Sequence, residues 1–114
     1  MSDTVQPVWL LLVNNIAAPN AAPSAPDHGQ PTPQNCRGEY LHVAVKRTST
    51  ATVSLWGWAR AMNEWFLLET WSMTGTQSSA EPAPGAAAYD RLYIQISVIG
   101  AGNVSAWIGW SSEV

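Results

Sequence analysis

Charge is what this 114-residue sequence has least of: Asp, Glu, Lys and Arg together make up 11% of it. That is well under half the roughly 25% usual for soluble domains. The five basic residues, Arg37, Lys46, Arg47, Arg60 and Arg91, form no run longer than two, and the net charge is −3. Recognition of a phosphate backbone needs a basic patch or stripe, so no nucleic-acid partner is expected. Cysteine is nearly missing as well. Cys36 stands alone, and one thiol makes no intrachain disulfide; an inert thiol at a loop end is the expected role. Long apolar runs are also missing. The stretch Val8 to Val13 spans six residues, too short for a signal sequence or for a membrane span of roughly twenty. The opening Met-Ser-Asp-Thr carries no positive charge, so the chain is expected to be made in the cytoplasm without a signal peptide and to have no membrane partner. Asn103-Val104-Ser105 fits the glycosylation pattern, which without an export signal reads as chance.

The materials of catalysis are equally sparse. Of the two histidines, His28 sits among prolines and His42 on the mixed face of an alternating stretch. A zinc centre needs three or four ligands at recognisable spacing, and the sequence offers no such cluster. Cys36 and His42 form a conceivable nucleophile pair, but no motif surrounds them. The eight carboxylates, Asp3, Asp27, Glu39, Glu64, Glu69, Glu81, Asp90 and Glu113, are scattered. Glu64 and Asp90 fall at strand boundaries, where capping and turn roles are usual. Glycosidase chemistry would require two facing carboxylates, a geometry that sequence alone leaves open. Gly100-Ala101-Gly102-Asn103 suits a turn, not a phosphate cradle. The expectation is a protein without catalytic residues, cofactor or metal.

What the chain does have is β character. Its length allows one domain, and its 46% of apolar residues suffices for a core. Residues 17–37 hold five prolines, at 19, 23, 26, 31 and 33. Each fixes φ and removes an amide donor, so this stretch is expected to be extended and partly polyproline-like. The apolar strand Pro7 to Val13 lies before it and has to be buried, in its own sheet or on a neighbouring subunit. The expected division is therefore an N-terminal arm over 1–37 and a β-domain over 38–114. In the second part, Glu39 to Arg47 alternates with Leu41, Val43 and Val45 on one face. Thr52 to Arg60 sets Val53, Leu55 and Gly57 against Trp56 and Trp58, and Ala61-Met62-Asn63 turns the chain into Trp65 to Ser72. Thr74 to Ala88 reads as a long loop. Arg91 to Ile99 alternates, with Leu92, Ile94, Ile96 and Val98 inward, and Val104 to Trp110 is its expected hairpin partner. Five or six short strands of period two predict an all-β fold, a small antiparallel sandwich of jelly-roll style.

Tryptophan is the unusual abundance, at seven in the chain. Trp65, Trp71 and Trp110 share faces with Leu67 and Ile108 and are expected in the core. Trp56, Trp58 and Trp107 share faces with Thr52, Ser54, Arg60, Ser105 and Ser111, which read as outward. Rings on a polar sheet face suit a contact between subunits, a platform for sugars, or a face covered by the chain's own N-terminal segment. Trp9, Leu11, Trp56, Trp58, Tyr93 and Trp107 are the candidate interface residues.

The run Tyr89-Asp90-Arg91-Leu92-Tyr93-Ile94-Gln95-Ile96 with its return Val104 to Trp110, together with Val53-Ser54-Leu55-Trp56-Gly57 and Glu64-Trp65, resembles small β-sandwich virion proteins of tailed bacteriophages. The resemblance covers roughly residues 39–110 and is one of style. It implies a structural role on the virion, most often as a capsid decoration or cement protein. The partner would be the major capsid protein or another virion protein, and trimers are frequent in that group. It implies no catalytic residues. The alternative function is a carbohydrate- or receptor-binding module of a virion tail or fibre.

Overall fold

The computed structural model describes residues 5–32, 41–76 and 78–113. Cys36 lies outside the described residues, and with it the conceivable Cys36–His42 pair. The chain forms strands β1 (Val5–Ile16), β2 (Gln30–Pro31), β3 (His42–Arg47), β4 (Ala51–Ala59), β5 (Glu64–Met73), β6 (Ser79–Pro82), β7 (Arg91–Ile99) and β8 (Val104–Glu113), with one 3-10 turn over Pro84–Ala88. Two four-stranded antiparallel sheets result, in the orders β1-β8-β3-β6 and β2-β7-β4-β5. The pairing follows a simple rule: β1 joins β8, β2 joins β7, β3 joins β6 and β4 joins β5. The chain is thus one long antiparallel ribbon folded over on itself, and the wrap is sealed where β3 meets β8 and β4 meets β7. This is the jelly-roll sandwich.

Period-two alternation builds its centre. Val43 and Val45 of β3, Ala106 and Ile108 of β8, Val53 and Leu55 of β4, and Leu92, Ile94 and Ile96 of β7 are all at most 2% exposed and face one another between the sheets. Burying an aliphatic side chain of this size contributes about 1.5–3 kcal/mol. These residues therefore outweigh any polar contact on the surface. Arg47 is buried at one end of this layer. Its guanidinium donates to the carbonyls of Thr74 (2.9 Å) and Gly75 (3.2 Å), to Ser79 Oγ (3.0 Å) and to Met73 Sδ (3.4 Å). It pins the crossing from β5 to β6.

Several expectations are corrected. Val104 to Trp110 does not form a hairpin with β7, because β7 and β8 lie in opposite sheets. The glycine-containing link between them is a corner, stapled to the β3–β4 corner by Thr48 N–H to Asn103 O (3.1 Å), Asn103 N–H to Thr48 Oγ1 (2.8 Å) and Gly100 N–H to Thr50 O (2.9 Å). The stretch 74–88 is not one loop; it contains the edge strand β6 and the 3-10 turn. Val98 is 54% exposed, because a bulge lets Thr52 oppose Val98 while Val53 opposes Ile96. One extra residue moves everything beyond it to the other face. A second bulge, where Leu55 opposes Glu69 and Trp56 opposes Leu67, separates Trp65 from Trp71. Trp71 packs against the core, as does Trp110, whereas Trp65 stands in the outer row with Trp58 and Leu67 is 53% exposed.

The N-terminal segment is not detached over its described part. β1 runs along β8 from Val5 opposite Glu113 to Ile16 opposite Val104, so the apolar strand is accommodated in the chain's own sheet. Residues 17–32 then follow the free edge of β7. Both edges would otherwise leave rows of unpaired backbone groups, which is the physical reason the segment docks there.

Candidate functional site

The outer face of the β2-β7-β4-β5 sheet carries three cross-strand rows: Gln95–Ser54–Thr70, Tyr93–Trp56–Leu67 and Arg91–Trp58–Trp65. Residues 20–29 lie over these rows. Asn20 fastens the start of this cover to β7, since its backbone N–H and side-chain Nδ2 donate to the carbonyls of Ile96 (3.2 Å) and Ile94 (3.1 Å) and its Oδ1 accepts from Ile96 N–H (2.6 Å). One asparagine thus imitates a strand residue on an edge. Tyr93 Oη donates to Ala21 O at 2.7 Å, and Trp65 Nε1 donates to Ala25 O at 2.9 Å. Arg91 holds the far end by donating to the carbonyls of Asp27 (3.1 Å), His28 (2.9 Å) and Gly29 (3.0 Å). His28 closes the loop locally, its Nδ1 accepting from the amides of Ser24 and Ala25 (3.1 and 3.3 Å), and its ring lies 6.3 Å from that of Tyr93. Gly29 has φ +70°, and any Cβ there would run into the Leu92 carbonyl. Only glycine lets the cover approach β7 this closely.

The cover decides the fate of three candidate residues. Trp58, an interface candidate on an outward face, is 8% exposed, and Pro23, which lines the same hollow, is buried. Trp56 and Tyr93 are half-buried, with Trp56 Nε1 donating to Gln95 Oε1 at 3.0 Å. Of the alternatives for this face, Trp58 as a contact open to a partner protein is corrected, because the chain's own N-terminal segment covers it. Under the cover remains a hollow of about 330 Å³, lined by Pro23, Ser24, Pro26, Trp56, Trp58, Asn63, Glu64 and Trp65.

The outer face of the β1-β8-β3-β6 sheet has no such cover among the described residues. Its rows are Trp9–Gly109–His42–Pro82 and Leu11–Trp107–Ala44–Ala80, followed by Ser105–Lys46. Trp9 is 54% and Leu11 40% exposed, and Trp107 is half-buried between two shallow hollows. The Trp9 ring lies across Gly109, where a Cβ would collide with its six-membered ring. Lys46 is the one lysine, arginine or carboxylate in these rows. The structure therefore brings Trp9, Leu11 and Trp107 together on a bare apolar face and leaves Trp56, Trp58 and Tyr93 on the opposite, covered one.

Asn20, Arg91 and Trp65 were missed as members of an aromatic site. A signal for them existed: a proline-rich stretch precedes a set of outward tryptophans, and extended proline segments pack on aromatic grooves. Asp90, read as a boundary residue, does act as a cap, its Oδ2 accepting from Arg60 N–H at 2.7 Å in the β4–β5 turn.

No family model matches the chain, and no curated protein does. Among solved structures the chain is similar to the crystal structure of the SPBc2 prophage-derived protein YomS, with a TM-score of 0.55 and 10% sequence identity over 96% of each chain. At that identity the likeness is one of fold.

Proposed function

We propose that this chain is a structural protein of a bacteriophage particle, which docks its bare sheet face on another virion protein in the manner of a capsid decoration protein. The observation that carries this is the patch of Trp9, Leu11 and Trp107, held on the paired strands β1 and β8 with Ala44 of β3 and Ala80 of β6 beside it. Aromatic side chains surrounded by few charges are what the core of a protein–protein interface is made of, and buried unpaired charges there are costly. The jelly roll recurs in viral capsid proteins, and the similar solved fold is prophage-derived, which supports the same assignment. In this proposal the occupant of the face is a shell subunit, and the protein acts as a symmetric homo-oligomer, with three subunits the favoured count.

A ligand that binds the assembled shell and not its free subunits stabilises the shell by mass action. Undecorated phage heads mixed with the protein are therefore expected to open at a higher temperature than heads alone. Trp107→Ala should abolish both the binding and the shift. Heads that open at the same temperature despite full occupancy would overturn the decoration role. Binding left intact by Trp107→Ala would move the docking surface elsewhere.

A further inference from the structure

We propose that the hollow between the 20–29 cover and the tryptophan rows of β4 and β5 is a binding site for a saccharide, taking one pyranose ring. This goes beyond the docking function and uses the opposite face of the sandwich. Three observations carry it. The walls are aromatic and fixed: Trp56 and Trp65 are locked by their indole bonds to Gln95 Oε1 (3.0 Å) and Ala25 O (2.9 Å), leaving their rings as surfaces. Trp58 lines the same hollow at 8% exposure. Among the described residues its indole N–H has no acceptor in the chain, and Thr32 Oγ1 is the sealed unpartnered side-chain atom. The Trp58 N–H is therefore an unpaired donor not sealed from solvent, on a ring that lines the hollow. The rim supplies Glu64, Asn63 and Ser24, a carboxylate acceptor with two groups that both donate and accept.

This set selects among ligand classes. A purely apolar guest would bury the Trp58 donor unmatched, which is costly. An anion would meet the Glu64 carboxylate. A cation would be drawn to the rings and to Glu64 but would face the positive edge of the Trp58 indole. A pyranose satisfies all of it, with C–H faces for the rings and hydroxyls that give and receive hydrogen bonds at its edge. The volume of about 330 Å³ lies at the small end of the ~300–1,000 Å³ typical of small-molecule sites, which suits one ring with a substituent.

The test follows the Trp58 indole N–H by NMR while the full chain is titrated with methyl glycosides of glucose, galactose, N-acetylglucosamine and rhamnose, and with tetramethylammonium as the cation probe. The expected result is a saturable shift of that resonance with at least one glycoside. Glu64→Gln and Asn63→Gly should each weaken the binding about tenfold or more, a difference of about 1.4 kcal/mol. Both side chains are exposed, and Asn63 already has φ 51°, so glycine preserves the turn and both variants should fold. Trp107→Ala should leave glycoside binding unchanged while removing association with phage heads, so the two proposals fail separately. Silence of the Trp58 resonance with every glycoside, binding of tetramethylammonium in their place, or indifference to both variants would overturn the saccharide site.

Discussion

The two sheets of this protein are built alike and finished differently. Each has four antiparallel strands, each sends most of its aliphatic residues inward, and each carries tryptophan outward. One outer face is roofed by residues 20–29 through bonds from Asn20, Tyr93, Trp65 and Arg91. The other leaves Trp9 54% exposed. The difference teaches that an outward tryptophan is not in itself an interaction site; what matters is whether the rest of the chain has already taken it. A covered ring contributes to the stability of the fold and offers a small ligand only what its cover leaves open, whereas a bare ring is available to a partner protein.

The sharpest way to break this comparison is to truncate one tryptophan from each face. Trp58→Ala should cost about 3–5 kcal/mol, the usual penalty for removing a buried large ring. Trp107→Ala should cost about 1 kcal/mol or less, as surface substitutions do. Urea denaturation of both variants measures this through the midpoint at constant slope. Equal losses would mean that the two faces are energetically alike and that the cover contributes little.

Next in size is the clasp. Arg91→Ala removes a guanidinium that donates to three carbonyls of the cover. Bonds from a charged donor contribute roughly 1.5–3 kcal/mol when well shielded, and Arg91 is half-buried, so a loss of about 2 kcal/mol is expected. The local signature matters more. Amide exchange should accelerate over residues 20–29 and stay unchanged along β3 and β8. Uniform acceleration across both sheets would show that the cover does not open on its own.

Much of the sandwich could be read from residue order, and the finishing could not. The alternation of Leu92, Ile94 and Ile96 marks the inner face of β7 directly, because side chains change sides at every residue of a strand. The bulges at Ser97 and Leu68 give no comparable local sign, so the sides of Val98, Trp65 and Leu67 were misjudged. The ribbon pairing of β1 with β8 and β2 with β7 joins the ends of the chain. The hairpin reading of β7 and β8 failed because a glycine turn serves a corner between sheets as well as a return within one. The cover is the least local feature of all. Asn20 meets Ile96 across 76 positions, and its side chain matters because a neighbouring edge happens to be unpaired. Of the six candidate interface residues, Trp9, Leu11 and Trp107 lie on the bare face and Trp56, Trp58 and Tyr93 beneath the cover. Nothing in their own strands separates the two groups.

Asn20 offers a milder probe of that long-range contact. Asn20→Ala removes the Nδ2 bond to Ile94 O and the Oδ1 bond from Ile96 N–H while keeping the backbone bond to Ile96 O. A net loss of about 1 kcal/mol is expected, accompanied by faster exchange of the Ile96 amide. An unchanged Ile96 amide would mean that water replaces the asparagine without cost, and that the cover is held from its Arg91 end alone.

The smallest stability effect is expected on the bare face, at Gly109. The three atoms that a methyl group there would meet first all belong to the Trp9 ring, and Trp9 is already 54% exposed. The ring can swing outward with little loss of buried area, and alanine suits a strand at least as well as glycine does. Gly109→Ala should therefore change stability by no more than about 0.5 kcal/mol. Its effect on association should be much larger, because the displaced indole no longer lies across Gly109 and the docking surface changes shape. The expected outcome is an unaltered urea midpoint together with a drop of about tenfold or more in affinity for phage heads. Trp9→Ala should then lower affinity by a similar amount, and combining the two changes should add little, since both act through one ring. Additive losses would place Gly109 and Trp9 in separate contacts. Undiminished affinity in the Gly109→Ala variant would remove Trp9 from the docking face and leave it to Leu11 and Trp107.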